Sequence, residues 1–340
     1  MTQSVASVRE RSDVRADALP IDELLEAGQP VVLRGLVHDW ELTQAGRRSV
    51  AQAMGCLRRF YNQRPIQYSY GAPDIGGRVF YTDDFTAINC AVRRGNLGEL
   101  LDTLAAHLDD AHPPTWYMAS TPVDALLPGL RQTDDLGFAA CGIDAAPRIW
   151  IGNRTIASAH YDAMNNIACC AVGRRRFTLF PPEQIVNLYP GPLEPTPGGQ
   201  AVSVVDFASP DFERHPRFRE ALASAQSVLL EPGDAVFIPN MWWHHVEGLE
   251  PFNVLVNYWW SSVANYVPNP MDALYHAMWT IRDRPETEKR AWRDIFDYYV
   301  FGPSDRAGAH LPENARAVLG PLDEMRMRQL RAMLLDRLNR

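Results

Sequence analysis

Apolar residues recur at helical spacing in two early stretches, 20–28 and 95–110. In the second, Leu97, Leu100, Leu101, Leu104 and Leu108 fall three or four apart, which predicts an amphipathic helix. Between the two, Val31–Leu33, Ile66–Tyr70 and Arg78–Tyr81 read as strands. The pattern changes at Thr115. From there to about Trp260, short branched or aromatic runs are bounded by Gly, Pro and Asn, which suits a sandwich or barrel better than βαβ units. One piece is explicit: Ser227–Pro239 reads as strand, Pro-Gly-Asp turn and strand, with Gly233 suited to the turn. After Pro270 helical spacing returns, in Ala273, Ala277 and Ile281 and again in Met327, Leu330, Leu334 and Leu338. These two stripes must be covered, either by the barrel or by a second copy of the chain.

The 340 residues can bury a large core. No Pro/Gly/Ser linker, internal repeat or low-complexity run divides them. The first twenty residues, rich in Arg, Asp, Ser and Ala, lack the apolar stretch of a signal peptide and are expected to be flexible. One domain is expected over 21–265 and a helical region over 266–340. No run of about 18 apolar residues exists, so no membrane span is expected. The net charge of −8 argues against a nucleic-acid partner, for which a clustered basic face would be needed. Five cysteines (Cys56, Cys90, Cys141, Cys169 and Cys170) form no Cys-x-x-Cys pair and read as reduced thiols in a cytoplasmic protein.

Candidate chemistry lies in His160-Tyr161-Asp162 and, some eighty residues later, Trp242-Trp243-His244-His245. Alternate residues of a strand share a face, so His160 and Asp162 project together while Tyr161 points away. A His-x-Asp triplet alone carries little, since nine His and 41 acidic residues make a chance match unsurprising. The distal His completes two imidazoles and a carboxylate, the facial set of non-haem Fe(II) oxygenases, which leaves positions for a co-substrate and O₂. Only one of the adjacent His244 and His245 can face a metal if the strand is regular. The strand Arg174–Phe180 puts Arg175 on one side with Phe177 and Leu179, a poor place for a guanidinium unless an anion meets it. Asn166 shares parity with the triplet. Asn257 interrupts the apolar run Val254–Trp260 and would need a partner if buried.

Segments 148–185 and 227–260 resemble the cupin-like JmjC oxygenases, above all those of the asparaginyl hydroxylase type that acts on hypoxia-inducible factor. The shared text runs in order. It comprises His160-Tyr161-Asp162, Asn166, Gly173-Arg174-Arg175-Arg176 and Leu179-Phe180-Pro181-Pro182, then Leu188-Tyr189-Pro190, Asp206-Phe207 and Pro210-Asp211-Phe212. It closes with Pro232-Gly233-Asp234, Ile238-Pro239, Trp242-Trp243-His244-His245 and Val256-Asn257-Tyr258-Trp259. The resemblance implies a mainly β fold, a double-stranded β-helix, with an N-terminal α/β segment and C-terminal helices.

It also implies Fe(II), with 2-oxoglutarate as co-substrate consumed with O₂ to succinate and CO₂. His160, Asp162 and His244 would then hold iron, with His245 left to support them or the fold. Tyr117 and Arg175 would meet the distal carboxylate of 2-oxoglutarate, with Asn166, Asn257 and Trp259 beside the co-substrate. Two departures stand out. The resembled hydroxylases carry Lys where this chain has Arg175, and Thr, whose hydroxyl meets the distal carboxylate, where it has Ala157. Ser158 is of opposite parity to Ala157 and would substitute only if the strand bulges. Hydroxylation of a C–H bond follows as the expected reaction, on a protein or peptide side chain or, alternatively, on a small molecule. A non-catalytic cupin kept for metal or ligand binding is the rival class. The resemblance also favours a homodimer through the C-terminal helices.

Overall fold

The computed structural model describes residues 5–339, which divide after Trp260 into two compact units. In the first unit two sheets face one another. Pro147–Gly152, Asn165–Val172, Ala235–Ile238 and Asn253–Trp260 lie in one sheet; Ile156–Tyr161, Arg175–Phe180, Gln226–Leu230 and Trp243–Gly248 lie in the other. All pairings among these eight strands are antiparallel. This is the expected double-stranded β-helix. Further strands widen the first sheet to nine and the second to six. Two of these additions, Ala6–Ser7 and Arg9–Arg11, fall in the terminus expected to be flexible. They pair in parallel with Gln226–Leu230 and Val31–Leu33, so backbone hydrogen bonds hold them.

The period-two rule divides the apolar residues of each strand between two cores. All of Asn165–Val172 is buried. Ala168 and Cys170 face the barrel interior with Phe177, Leu179, Val236 and Leu255. Ile167, Cys169 and Ala171 face the opposite way, under the helices Glu41–Arg48, Val50–Phe60 and Leu97–Ala106. The last of these helices buries Leu97, Leu100, Leu101 and Leu104, as its spacing predicts. Asp134 caps the first, its carboxylate accepting from the Glu41 and Leu42 amides at 2.7 and 3.0 Å. The Pro-Gly-Asp turn is present, with Gly233 at φ +108°, open to glycine and strained for other residues.

The second unit contains the helices Pro270–Thr280, Glu286–Phe296 and Glu324–Leu338. Asn269 and Asp323 cap the first and third. Among its described residues only Ala307 and Gly308 are buried. Trp279 is 73% exposed, Phe301 75%, and Leu334 and Leu338 more than two-fifths. Among the described residues, no helix is long and apolar enough to cross a membrane.

Candidate active site

His160 and His244 stand opposite one another on neighbouring strands. Their ring centroids are 4.3 Å apart, and Asp162 Oδ2 lies 3.6 Å from His244 Nε2. One ligand atom from each of the three residues falls within 4.8 Å of the others, a group able to hold a metal ion. The tautomers follow from the backbone. His160 Nδ1 donates to the Ser158 carbonyl at 2.9 Å and His244 Nδ1 to the Trp242 carbonyl at 3.0 Å. A carbonyl only accepts, so each neutral ring presents its Nε2 lone pair, as a metal requires. Burial and the neighbouring His160 hold His244 below the usual imidazole range, which keeps that lone pair free.

His245 faces away from the cavity and stacks on Phe207, centroids 4.3 Å apart. The pairing register separates the two adjacent histidines. His244 is opposite His160, whereas His245 faces two residues, Ser158 and Ala159, at a bulge. The extra residue turns Ala157 towards the interior, and it joins the barrel core. Ser158 borders the cavity too, but its hydroxyl accepts from Arg78 Nε at 3.0 Å.

The three residues open on a cavity of about 350 Å³. Tyr117, Asn166, Arg175, Asn257 and Trp259 all line it, so the cavity unites every residue the sequence put forward. Asn257 Nδ2 donates to Asn166 Oδ1 at 2.8 Å, the partner that a buried amide in an apolar run requires. Arg175 is 2% exposed. Its Nε and Nη2 are buried without a hydrogen-bond partner, and no ion pair involves it among the described residues. Burial pushes the guanidinium below its usual range and the Tyr117 hydroxyl above its own, while each steadies the charge of the other. A buried cation without a counter-charge is costly. The wall therefore suits a ligand that brings a carboxylate, and the donor set suits a divalent metal.

Sequence reasoning passed over Trp150 and Arg78. Trp150 borders the cavity, stacked on Tyr117 at 5.9 Å and edge-on to Trp259 at 5.8 Å. Its strand alternates buried Pro147, Ile149 and Ile151 with half-buried Arg148 and Trp150, and the apolar pattern alone does not say which set meets the cavity. Cys169 and Cys170 are core residues; burial pushes the Cys170 thiol up to about 12, which leaves it inert.

Comparison with known proteins agrees with this geometry. A family profile described as a cupin-like domain matches residues 16–266. The chain is 33% identical over 200 residues to the Arabidopsis thaliana protein named lysine-specific demethylase JMJ31, covering 54% of this chain and 35% of that protein. It is 26% identical over 249 residues to lysine-specific demethylase 8 of Xenopus tropicalis, covering 71% and 50%. It is 39% identical over 104 residues to tRNA wybutosine-synthesizing protein 5 of Gallus gallus, covering 31% and 30%. The chain thus spans half or less of the length of each of these relatives.

Proposed function

Because the chain belongs to the cupin-like JmjC family, we propose that it is an Fe(II)- and 2-oxoglutarate-dependent oxygenase that hydroxylates a C–H bond. One observation carries the reading: a two-histidine, one-carboxylate donor set shares a single cavity with a buried arginine that lacks a counter-charge. When bound, iron, 2-oxoglutarate and O₂ supply the oxidising chemistry, with the co-substrate converted to succinate and CO₂.

The residues of the chain bind and orient. His160 and His244 offer Nε2 to the metal, held by their Nδ1 bonds to backbone carbonyls. Asp162 supplies the compensating negative charge. Arg175 grips the distal carboxylate of 2-oxoglutarate through its planar fork, with Tyr117 beside it. The paired amides of Asn166 and Asn257 line the same cavity and would flank the co-substrate. Val79, Phe177, Val246, Leu255 and Trp259 line the cavity and exclude water. Ala157 offers no hydroxyl there, so Arg175 carries more of the anchoring.

The target is a protein or peptide side chain in this reading. Two relatives are named lysine-specific demethylases, which supports it, whereas one named for tRNA wybutosine synthesis keeps other substrates open. The exposed apolar side chains of the helical unit, which include Trp279, Phe301, Leu334 and Leu338, support a homodimer through the C-terminal helices. Five unpaired cysteines fit a cytoplasmic setting.

The test is anaerobic addition of Fe(II), then 2-oxoglutarate, to the full chain, following the visible charge-transfer absorption of a chelated keto-acid. A band that bleaches on admitting air is expected. Iron binding without a band would overturn 2-oxoglutarate as the co-substrate; no iron binding would leave the rival class, a barrel kept for binding.

A further inference from the structure

The bulge that aims His160 is held from outside the barrel. The two residues that face His245 are both engaged: Ser158 Oγ accepts from Arg78 Nε at 3.0 Å, and the Ala159 carbonyl accepts from the Ser203 amide at 2.7 Å. Ser158 has a second duty, because its carbonyl accepts from His160 Nδ1. Arg78 is therefore two bonds from a candidate metal ligand, through one residue.

Arg78 is itself firmly placed. Its Nη2 donates to the Val205 carbonyl at 3.0 Å, and its guanidinium lies 3.7 Å from the centroid of Phe80. It opens a two-residue strand that pairs in parallel with the His160 strand, Arg78 with Ile156 and Val79 with Ala157. Gly77 allows that approach, since a Cβ there would stand 1.9 Å from the Arg154 carbonyl oxygen. Burial lowers the guanidinium's proton affinity, and Asp206 offsets this, so it remains a charged donor.

We propose that Arg78 is the positioning residue for His160. By pinning Ser158 in the bulge, it fixes both the register that turns His160 inward and the carbonyl that sets the ring's tautomer. A strand whose register slips by one residue exchanges its faces, so a bulge of this kind needs an external anchor. The group that directly receives a metal-binding histidine's N–H, here the Ser158 carbonyl, typically changes metal affinity about ten- to a hundredfold when lost; Arg78 acts one residue further out. The inference rests on the metal reading of the site.

The experiment titrates Co(II) into the full chain and records affinity and visible d–d spectrum, with the metal-free thermal midpoint as the measure of folding. Arg78→Met is expected to weaken Co(II) binding by up to about tenfold, the lower end of what losing a direct partner costs, and to shift the spectrum. Arg78→Lys, which keeps one charged donor, should recover part of both. Ser158→Ala removes only the hydroxyl that Arg78 grips and should reproduce the shift in milder form, which keeps the test open if Arg78→Met fails to fold. Parent affinity and spectrum in Arg78→Met, or in Ser158→Ala where Arg78→Met does not fold, would overturn the proposal. A parent chain that binds no Co(II) would instead remove the metal reading, and this inference with it.

Discussion

Replacing Arg175 with Met should weaken co-substrate binding and stabilise the empty protein, two effects of opposite sign from one change. The guanidinium is 2% exposed, with two nitrogens lacking any partner and no ion pair among the described residues. In the bound state it would make two charge-assisted hydrogen bonds to a carboxylate, each contributing about 1.5–3 kcal/mol. Losing both costs about 3–6 kcal/mol, or about a hundred- to twenty-thousandfold in 2-oxoglutarate affinity at about 1.4 kcal/mol per decade. In the free protein the same group is a buried, uncompensated charge. Met keeps most of the volume and removes the charge; since replacing even a compensated buried ion pair by apolar residues is often neutral or stabilising by about 1–4 kcal/mol, removing an uncompensated charge should stabilise as well. The sign is consistent with burial pushing Arg175 below its usual range: the folded state disfavours its charged form, so stability near neutral pH gains from its removal. Anaerobic titration of the Fe(II)-loaded chain with 2-oxoglutarate gives the first number; chemical denaturation of metal-free protein gives the second. Unchanged affinity would show that another cation holds the carboxylate. A destabilised Arg175→Met would show that the fold itself satisfies the guanidinium.

Asp162→Ala should abolish Fe(II)-dependent consumption of 2-oxoglutarate while leaving the metal-free thermal midpoint within a few degrees of the parent's; full turnover in the variant would sink the assignment of the triad. His245 is pushed down to about 3, chiefly by burial, against 6.5 when unfolded. Its neutral form belongs to the fold, so stability is lost as pH falls through 6.5 towards 3, by about 2 kcal/mol at pH 5. Urea midpoints from pH 7.5 to pH 5 should fall less in His245→Asn than in the parent, and parallel curves would refute the account. Leu334→Glu with Leu338→Glu places charge on an apolar, exposed helix face and should convert the proposed homodimer to a monomer in light scattering. An unchanged mass would exclude that face as the interface.

Most of the residues that spacing made legible share one property: their placement depends only on position within a single strand. Parity puts His160 with Asp162, Arg175 with Phe177 and Leu179, and Asn257 with Trp259, and the barrel is built that way, whereas Asn166 reaches the same cavity from the next strand, across a turn. Parity can also say that His244 and His245 face opposite ways, but not which one faces inward. That choice rests on pairing, His244 against His160, between strands far apart in the chain. The short strands Ala6–Ser7 and Arg9–Arg11 were illegible for the same reason, since two or three residues carry no periodicity and their partners come later in the sequence. The helical stripes after Pro270 were readable as stripes, yet a pattern of apolar residues does not state what covers them. The bulge is the sharpest case. One extra residue against His245 brings Ala157 into the barrel core and leaves Ser158 at the cavity with its hydroxyl engaged by Arg78, and so decides how many free hydroxyls the cavity offers a carboxylate. No spacing rule along a single strand contains that information, because a bulge is a property of two strands and of what anchors them.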